Sequence, residues 1–488
     1  MSSLAAISAT LLAAASGFGV ESFNTPFATD IATELRRVAA SGGGRVTIPA
    51  GEWRTGPLEL GSNVELHLNP GARLVFPDDP QLYKKRIGMY EGLMTSRPAP
   101  LSGAFGATNV AVTGKGELFA ETGYWERNHR SVQRPCFMQF IDCGKVRVED
   151  VRIRNSPNWT MHFALTDDVT VRGVDSRALG RNNDGIDLDS VNGALIENCT
   201  LDQGDDAICM KSGKNMQGRL RNRPTRNVTI RNCTVGHGHT LLGIGSELSG
   251  GVENVLLENC DVTEEVWRVL LIKTNRARGG FARNITVRNV KAKRAKCAIL
   301  GIMSDYQSWR PENRDESPEL TAIENILVEN VGCERAWYAY ELEGDEKRPP
   351  RRITLKDCSV KHPERGFGHH AHIDGLKTTN VIADPGPLAV WCDDADSLYP
   401  AGQTATFKIA SYGVDGRAAV RLTDDDGHVV SESAIELSRN AIAEVKGTRP
   451  TPGFLVLTVD CGNVRKQWGA AFDWDLIPKT VRRPVNFR

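Results

Sequence analysis

The sequence has no excess of either charge, and this absence narrows the kinds of partner that it can have. Lys and Arg together number 60, as do Asp and Glu. The chain therefore has no net charge that would attract nucleic acid or an anionic membrane surface. Beyond the N-terminal stretch described below, no segment is long and apolar enough to span a bilayer. We expect neither a nucleic acid nor a membrane as partner.

The cysteines lack the patterns of metal sites and redox motifs. They number eleven, with no Cys-x-x-Cys and no zinc-like spacing. Cys199, Cys233 and Cys260 each follow an asparagine, and Cys358 follows an aspartate in the same context. A position that recurs in this way is typical of a buried thiol that packs as a small hydrophobic group. We expect few or no disulfides, no metal and no cofactor.

The N-terminal stretch at residues 4–20 is small and apolar and has two interpretations. It resembles the core of a signal peptide, although no Lys or Arg precedes it as such a peptide requires. The alternative is an apolar segment packed on the fold. The first interpretation predicts a secreted or periplasmic protein and the second allows a cytoplasmic one.

A repeated strand pattern dominates the rest of the sequence. Strands of alternating apolar and polar residues close on Asn, Asp or Gly, and from Asp150 to Asp357 the closing positions recur at uneven intervals, as coils with loop insertions would give. Alternation marks a strand with one buried face, and Asn and Gly tolerate the left-handed backbone of a sharp turn. No helical period intervenes, so the pattern favours a solenoid over a β-sandwich or a propeller.

We therefore predict an all-β chain built on a right-handed parallel β-helix. Both ends of such a stack need covers. Residues 29–40 have a helical apolar face followed by three glycines, and we predict an N-terminal helical cap there. After about residue 385 the asparagine-closed strands give way to short alternating strands typical of a β-sandwich. The predicted domains are residues 1–43, 44–384 and 385–488.

Acidic residues are densest between residues 182 and 206. Asp184 precedes Asp205 by about one short coil. The steps from Asp206 to His239 and from His239 to Lys273 each correspond to about one longer coil. Neighbouring strands lie about 4.8 Å apart. We therefore expect three acids, a histidine and a lysine in one row across adjacent coils.

This cluster has the groups that hydrolysis of an acetal requires, namely one protonated acid for the leaving oxygen and one carboxylate to activate water. Adjacent carboxylates also resist joint ionisation, which separates their pKa values. Asp187 and Asp189 lie in the same stretch, but we interpret these two as turn residues.

The motifs around the acids resemble glycoside hydrolase family 28, the polygalacturonases. The segment at residues 182–185 resembles the family's Asn-Thr-Asp, with Asn183 in place of Thr, and the segment at residues 204–206 resembles its Asp-Asp segment. Lys211-Ser212-Gly213 also matches, as do Arg134-Pro135 and the stretches at residues 155–160 and 245–251. The resemblance covers roughly residues 44–330.

The resemblance implies an inverting glycoside hydrolase that acts on an α-linked, pectin-type saccharide. Asp205 would be the general acid, and Asp184 and Asp206 would hold and deprotonate the attacking water. The family's Gly-His-Gly motif has two matches here. His237 has the literal motif, but His239 precedes Ile244 by the gap that is usual in bacterial members. We assign His239 to tuning the acids, with His237 as the alternative.

The substrate-binding candidates are Asn182, Glu247, Lys273 and Arg276. The family's Arg-Ile-Lys motif, which grips the carboxylate of a galacturonate, reads Leu271-Ile272-Lys273 here. Only the lysine remains, which predicts altered carboxylate recognition. Arg268, Arg276 and Arg278 are candidates to replace the missing arginine, although we interpret each first as a solvated loop charge.

Three alternatives stay open at this point. A less acidic sugar, such as a rhamnoside or a neutral glycoside, would suit the missing arginine. A β-helix polysaccharide lyase would release products with a new double bond that absorbs ultraviolet light. A non-catalytic carbohydrate-binding protein would tolerate replacement of its acids. The expected partner in each case is an oligo- or polysaccharide, and the oligomeric state and the endo or exo mode are left open.

Overall fold

The computed structural model describes residues 31–313, 319–394, 397–439 and 441–474. The apolar run at residues 4–20 and the first two residues of the predicted cap helix lie outside the described residues. The rest of that prediction corresponds to helix α1 (Ile31–Ala40), whose buried Leu35 and Val38 join the main core. The helix packs on the first strands of the solenoid and so covers its N-terminal end. Within the ranges given above, no helix is long and apolar enough to cross a membrane.

The predicted right-handed parallel β-helix is confirmed, with 27 strands in one parallel sheet system. Its strands, with one extra hairpin (β6 and β7), begin with β1 (Gly44–Ile48), β2 (Gly51–Arg54), β3 (Leu58–Leu60), β4 (Val64–Leu68), β5 (Ala72–Phe76), β6 (Arg86–Tyr90), β7 (Leu93–Arg97), β8 (Leu101–Gly103), β9 (Thr108–Gly114) and β10 (Glu117–Ala120). The middle coils contain β11 (Met138–Ile141), β12 (Gly144–Glu149), β13 (Arg152–Arg154), β14 (Met161–Ala164), β15 (Asp167–Arg172), β16 (Asp175–Ala178), β17 (Ile186–Asp189), β18 (Asn192–Glu197), β19 (Thr200–Gln203) and β20 (Ile208–Lys211). The last coils contain β21 (Thr225–Arg231), β22 (Thr234–Gly245), β23 (Val252–Lys273), β24 (Phe281–Met303), β25 (Ala322–Glu343), β26 (Arg351–Lys356), β27 (Ser359–Pro363), β28 (Gly368–Ala371) and β29 (Asp374–Thr379).

The strand pairing reproduces the intervals seen in the sequence. One row of paired residues runs through every coil of this region, and its members are Val146, Val169, Ala194, Val228, Val255, Ile285, Ile326 and Ile353. The intervals along this row equal those between the closing residues from Asp150 to Asp357. The closing residues have positive φ, such as 56° at Asn198 and 52° at Asp357. Turn chemistry therefore determines where each coil bends.

Stacked side chains repeat with the coils. Asn284 donates a hydrogen bond from Nδ2 to Oδ1 of Asn254 at 3.1 Å, and Asn325 donates in the same way to Asn284 at 3.0 Å. All eleven cysteines lie in the described part of the chain and are buried free thiols. The prediction of few or no disulfides is confirmed.

One face of the β-helix carries the candidate site, and we call it the cleft sheet. It comprises β3, β8, β11, β14, β17 and β20, the C-terminal parts of β22 to β25, and β28. Each coil enters this sheet through an entry turn and leaves it through an exit turn. Two entry turns carry insertions. One contains the short 3₁₀ helix Pro80–Leu82 and the β6–β7 hairpin, and the other contains α2 (Gly123–Arg127). Two exit turns carry α3 (Asn215–Arg221) and the loop with the 3₁₀ helix Pro311–Asn313. These insertions form walls along the cleft.

The architecture changes after Thr379. Eight further strands follow, β30 (Leu388–Cys392), β31 (Leu398–Pro400), β32 (Thr404–Ser411), β33 (Gly416–Asp424), β34 (Val429–Leu437), β35 (Ile442–Thr448), β36 (Gly453–Cys461) and β37 (Val464–Asp473). They form one sheet of three strands and one of five, mostly antiparallel. Phe407 and Leu457 are among the buried residues of a core separate from that of the β-helix, which makes this part a β-sandwich.

Candidate active site

The three predicted acids meet in one cavity. Asp184 lies in the entry turn before β17, and Asp205 and Asp206 lie in the entry turn before β20. The backbone oxygen of Asp206 accepts a hydrogen bond from the N–H of Gly185 at 2.9 Å, which holds the two turns in register. One carboxylate oxygen from each acid lies within 4.8 Å of the others, and all three acids line the same cavity. The arrangement is crowded enough for the acids to influence each other's ionisation.

Lys273 reaches this cluster by a route that differs from the predicted one. Ile208 of β20 pairs with Leu242 of β22, and Gly245 of β22 pairs with Lys273 of β23. Fewer residues separate the second pair than the first, so the coil from β22 to β23 is shorter than the coil from β20 to β22. The predicted one-coil step from His239 to Lys273 is therefore wrong. Lys273 lies at the exit end of β23, and its long side chain extends back across the sheet.

Asp206 is held by two donors. Lys273 donates a hydrogen bond from Nζ to Oδ2 at 2.5 Å, and Thr240 donates from Oγ1 to Oδ1 at 2.8 Å. Burial opposes the charge of Lys273, but the nearby carboxylate of Asp206 raises the pKa of the lysine well above its ordinary value. The ammonium therefore stays charged and fixes the orientation of the Asp206 carboxylate.

The two candidate histidines occupy different environments. His239 places Nδ1 2.8 Å from Oδ1 of Asp205 and stacks on Trp267, with 4.1 Å between ring centres. His237 places Nδ1 2.8 Å from Oδ1 of Asp202, and about half of its side chain is exposed. Of the two, His239 lines the cavity with the acids.

Asp205 and His239 form an ion pair. Burial alone would raise the pKa of Asp205, but the hydrogen bond and the charge of His239 lower it to about 2. Burial lowers the pKa of His239, and the interactions with Asp205 outweigh this and raise it above the ordinary value of 6.5. The proton shared by the pair therefore lies on the imidazole.

Lys211, at the end of β20, lies at the centre of the buried acids. Its Nζ is 3.3 Å from Oδ1 of Asp187, 3.6 Å from Oδ2 of Asp184 and 3.7 Å from Oε2 of Glu247. The same atom lies 4.6 Å from the centre of the Trp159 ring, a cation–π arrangement. Burial opposes the charge, but the surrounding carboxylates raise the pKa of Lys211 well above its ordinary value.

Asp187 and Asp189 are not turn residues, so that interpretation is wrong. Both lie in strand β17 and are fully buried. Burial raises the pKa of Asp187 to about 7, although Lys211 opposes the shift. Burial, and then repulsion from Asp187 and Asp205, raises the pKa of Asp184 well above 3.8. At neutral pH the cluster therefore retains protons that isolated aspartates would lose.

A buried arginine positions Asn182. Arg134 donates hydrogen bonds from Nη1 to the carbonyl oxygens of Pro157 (3.0 Å) and Arg181 (2.6 Å), and from Nη2 to Oδ1 of Asn182 at 2.7 Å. Asn182 in turn directs Nδ2 toward Oδ2 of Asp205 at 3.4 Å. Asn183, which replaces the family's threonine, donates to the carbonyl oxygen of Asn158 at 2.7 Å. These contacts fix the entry turn that carries Asp184.

Glu247 lies in the exit turn after β22 and lines the cavity. Burial would raise its pKa, but Lys211 and Arg278 lower it to about 2. Arg278 is fully buried and donates from Nε to the carbonyl oxygen of Ser246 at 2.8 Å. The interpretation of Arg278 as a solvated loop charge is therefore wrong.

The two other candidate arginines lie outside this cavity. Arg276 is largely exposed and donates from Nε to Oδ2 of Asp345 at 2.7 Å. Arg268 is buried and pairs with Glu341, so the solvated interpretation is wrong for it too. A Cβ added to Gly301 would lie 2.3 Å from Cδ of Arg268, so the arginine side chain lies directly on this glycine beside Leu271.

Several residues of the cavity were not identified from the sequence. They share a place in the walls of the cleft and are Tyr90, Glu91, Trp159, Ser246, Tyr306, Gln307 and Arg310. Arg310 is buried, and its Nη2 has no hydrogen-bond partner in the described part of the chain. The register of β17 with β20 was a usable signal for Asp187 and Lys211. Trp159 and Ser246 lie in stretches that resemble the family but were given no role, whereas the local sequence around the other wall residues carried no signal.

The arrangement suits proton transfer on both sides of a bound acetal. One acid shares a proton with a histidine, and a second pair of acids lies within 4.8 Å of it. Asp184, Asp187 and Cys209 also bring one ligand atom each within 4.8 Å of one another, and these three atoms are the ones that could bind a metal ion at this place. Lys211 and Lys273 already supply positive charge to these acids. The geometry meets the needs of acid-assisted attack by water.

Comparisons with known proteins agree with the motifs. The model of the family described as Glycosyl hydrolases family 28 matches residues 97–378, more than half of the chain. A "Probable polygalacturonase" of Vitis vinifera is 27% identical over 353 residues, which are 70% of this chain and 71% of the relative. An "Exo-poly-alpha-D-galacturonosidase" of Dickeya chrysanthemi is 26% identical over 315 residues, but only about half of either chain is matched, 54% of this one and 52% of the relative.

Solved structures show the same fold. An exopolygalacturonase from Thermotoga maritima matches with a TM-score of 0.64 and 29% identity, covering 72% of this chain and 86% of the other. A polygalacturonase from Erwinia carotovora ssp. carotovora matches with a TM-score of 0.59 and 20% identity, covering 72% and 94%. At 20% identity, the second match supports the architecture alone.

Proposed function

The chain belongs to glycosyl hydrolases family 28 and is a glycoside hydrolase, and from this premise we propose that it hydrolyses an α-linked galacturonan of the pectin type. The observation that carries the proposal is the meeting of Asp184, Asp205 and Asp206 in one cavity, with a buried lysine on either side. Relatives named polygalacturonase support the substrate class. Because such polymers lie outside cells, we propose a secreted or periplasmic location.

In the proposed mechanism, Asp205 protonates the leaving glycosidic oxygen. It passes on the proton that it shares with His239, whose raised pKa favours the protonated form of the pair. His239 would then recover a proton from solvent through its partly exposed ring. The stacked Trp267 ring holds the imidazole in place during this exchange. A proton kept within a hydrogen-bonded pair is available as negative charge grows on the leaving oxygen.

Asp184 and Asp206 would hold the attacking water and take up its proton. Lys273 and Thr240 fix the carboxylate of Asp206, and the raised pKa of Asp184 makes its ionised form a stronger base. Direct attack by this water would invert the anomeric centre. The family resemblance supports inversion, whereas carboxylates this close are also compatible with retention, so the stereochemistry needs its own test.

Recognition of the sugar carboxylate would be altered in this chain. Leu271 replaces the family's arginine, and Glu341 already neutralises the adjacent Arg268. Lys273 is committed to Asp206. Arg310 is the guanidinium that lines the cavity, and its Nη2 lacks a hydrogen-bond partner among the described residues. We assign the carboxylate to Arg310, because a guanidinium binds carboxylates in a bidentate manner.

Proton NMR of the first product tests both the substrate and the stereochemistry. Galacturonan, a rhamnose-containing pectin fragment and a neutral glycan would be compared under the same conditions. We expect cleavage of galacturonan with the β-anomer formed first. Appearance of the α-anomer would refute inversion, and cleavage of only the neutral or rhamnose-containing glycan would refute the substrate assignment. Products that absorb ultraviolet light would indicate a lyase instead.

The role of Arg310 has a separate test within the same assay. Arg310→Gln should raise KM for galacturonan at least tenfold, with a smaller effect on the methyl-esterified polymer, which lacks the charge. Arg276→Gln is the matched control, since Arg276 lies outside the cavity and contacts Asp345. Equal losses on both polymers would contradict a role in carboxylate binding.

A further inference from the structure

The β6–β7 hairpin lies on the floor of the cleft, on the N-terminal side of the acids. Met89 of this hairpin is fully buried and packs against Ile141 and Ala164, which belong to cleft-sheet strands β11 and β14. Gln139 of β11 donates a hydrogen bond from Nε2 to the carbonyl oxygen of Met89 at 2.8 Å. The hairpin thus covers the surface along which a polysaccharide would otherwise continue.

The tip of the hairpin reaches the opposite wall. The hairpin begins in an entry turn, yet Glu91 at its tip pairs with Lys214, beside α3 in an exit turn, at 3.1 Å. Arg221 of α3 donates to the carbonyl oxygen of Gly92 at 3.4 Å. A Cβ at Gly92 would lie 2.5 Å from the backbone N of Lys214, so the two walls are in close backbone contact. The cleft is bridged from side to side at this point.

The bridge stands directly beside the acids. Tyr90 and Glu91 line the cavity together with Asp184 and Asp205. Tyr90 packs against Trp159 with 4.5 Å between ring centres, and the guanidinium of Arg97 lies 3.6 Å from the centre of the Tyr90 ring.

On the other side of the acids, the floor continues over later coils. The row that begins at Gly243 passes through Leu271 and Gly301 to Glu341 and His369. The side chains of Glu341 and His369 are 23% and 43% exposed, so solvent reaches the floor there. A bound polymer has room in this direction.

We infer that the β6–β7 hairpin closes one end of the cleft, so that the enzyme cleaves at a chain end and releases a product of one fixed short length. The remaining polymer lies toward the C-terminal coils. This inference rests on the proposed function and adds its mode of action.

Oligogalacturonates of defined length with a fluorescent label on one end test the inference on the unmodified protein. We expect the earliest labelled product to have a single length, either a fixed step shorter than the substrate or one short fragment. The viscosity of polymeric galacturonan should fall slowly relative to the release of reducing ends. Labelled products of several lengths from the first turnovers would overturn the hairpin inference and leave the proposed function intact. Absence of any galacturonan product would overturn both.

Two variants locate the cause in the hairpin. Replacing residues 88–95 by a short Gly-Ser turn should produce internal fragments and a faster viscosity loss per bond cleaved. Lys214→Met, which removes the ion pair without shortening the hairpin, should give a smaller share of internal fragments. Lys356→Met removes a comparable lysine–glutamate pair on the outer surface and should keep the wild-type product pattern. The inference would be overturned if the folded Lys214→Met variant kept the wild-type product pattern and the shortened variant either kept it as well or failed to fold.

Discussion

Replacing Asp189 by asparagine should stabilise the protein at neutral pH relative to acidic pH. Asp189 is fully buried in β17, and its Oδ1 accepts a hydrogen bond from the N–H of Gly213 at 2.9 Å. Its Oδ2 has no hydrogen-bond partner in the part of the chain that the structure covers. Burial raises the pKa of this carboxyl to about 6, and the Gly213 N–H only partly opposes the shift.

The sign and size of the effect follow from proton linkage. Between about pH 4 and pH 6 the folded protein keeps a proton on Asp189 that the unfolded chain has lost, so the free energy of unfolding falls as the pH rises. The difference between about 6 and the ordinary 3.8 corresponds to about 3 kcal/mol once the group is ionised in both states. Asparagine accepts the same Gly213 hydrogen bond and has no charge to bury, so the variant avoids this loss.

The assay is the difference in melting temperature between Asp189→Asn and the wild type from pH 4 to pH 8. The difference should increase in favour of the variant up to about pH 6 and then level off, with a total change of roughly 3 °C for a protein of this size. Asp357→Asn is a suitable control, because Asp357 closes a coil at the surface with φ of 52°. A difference that does not vary with pH would refute a buried ionisable Asp189.

Three further changes test the site. Asp206→Asn should lower kcat by about 10³-fold in protein that remains folded, while Asp202→Asn on the neighbouring surface should retain activity. Equal losses in the two variants would contradict the assignment. His239→Ala should lower kcat and move the alkaline limb of the pH–rate profile to lower pH, because Asp205 would then hold its proton without the help of His239 and its raised pKa. An unchanged alkaline limb would argue against a proton shared by this pair. Gly301 lies in the floor over which the polymer is proposed to extend, so Gly301→Ala should displace Arg268 there and raise KM more than it lowers kcat. Gly332→Ala, whose Cβ meets nothing closer than 3.9 Å, should leave both constants unchanged. Identical kinetics in the two glycine variants would show that binding does not depend on the shape of this part of the floor.

The sequence predicted the coil geometry because the turn chemistry is local. An asparagine at a closing position adopts positive φ wherever it occurs, so counting from one to the next gave the true strand offsets. The same reasoning brought Asp184 and Asp205 together, because both lie in entry turns of adjacent coils. It could not place Lys273, since the coil that joins β22 to β23 is shorter than the one before it and a long side chain spans the difference.

The walls of the cleft were beyond prediction for a different reason. The β6–β7 hairpin has an ordinary alternating sequence, and only its contacts with Ile141 and Lys214 show that it crosses the cleft. Asp187 and Asp189 were misjudged because Asp is common in turns, although in β17 the burial of these acids is offset in part by Lys211 and by the Gly213 N–H. Non-local contacts of this kind leave no trace in the neighbouring residues.

The most direct measurement is the turnover of galacturonan by a variant that carries Asp184→Asn, Asp205→Asn and Asp206→Asn together, with its fold verified by circular dichroism. These substitutions replace each acid by a side chain of similar size and remove the three carboxylates proposed to donate and accept protons in the bond cleavage. The expected result is bound substrate with no release of reducing ends above the uncatalysed background. Hydrolysis at a rate near that of the wild type would contradict a mechanism based on these three carboxylates.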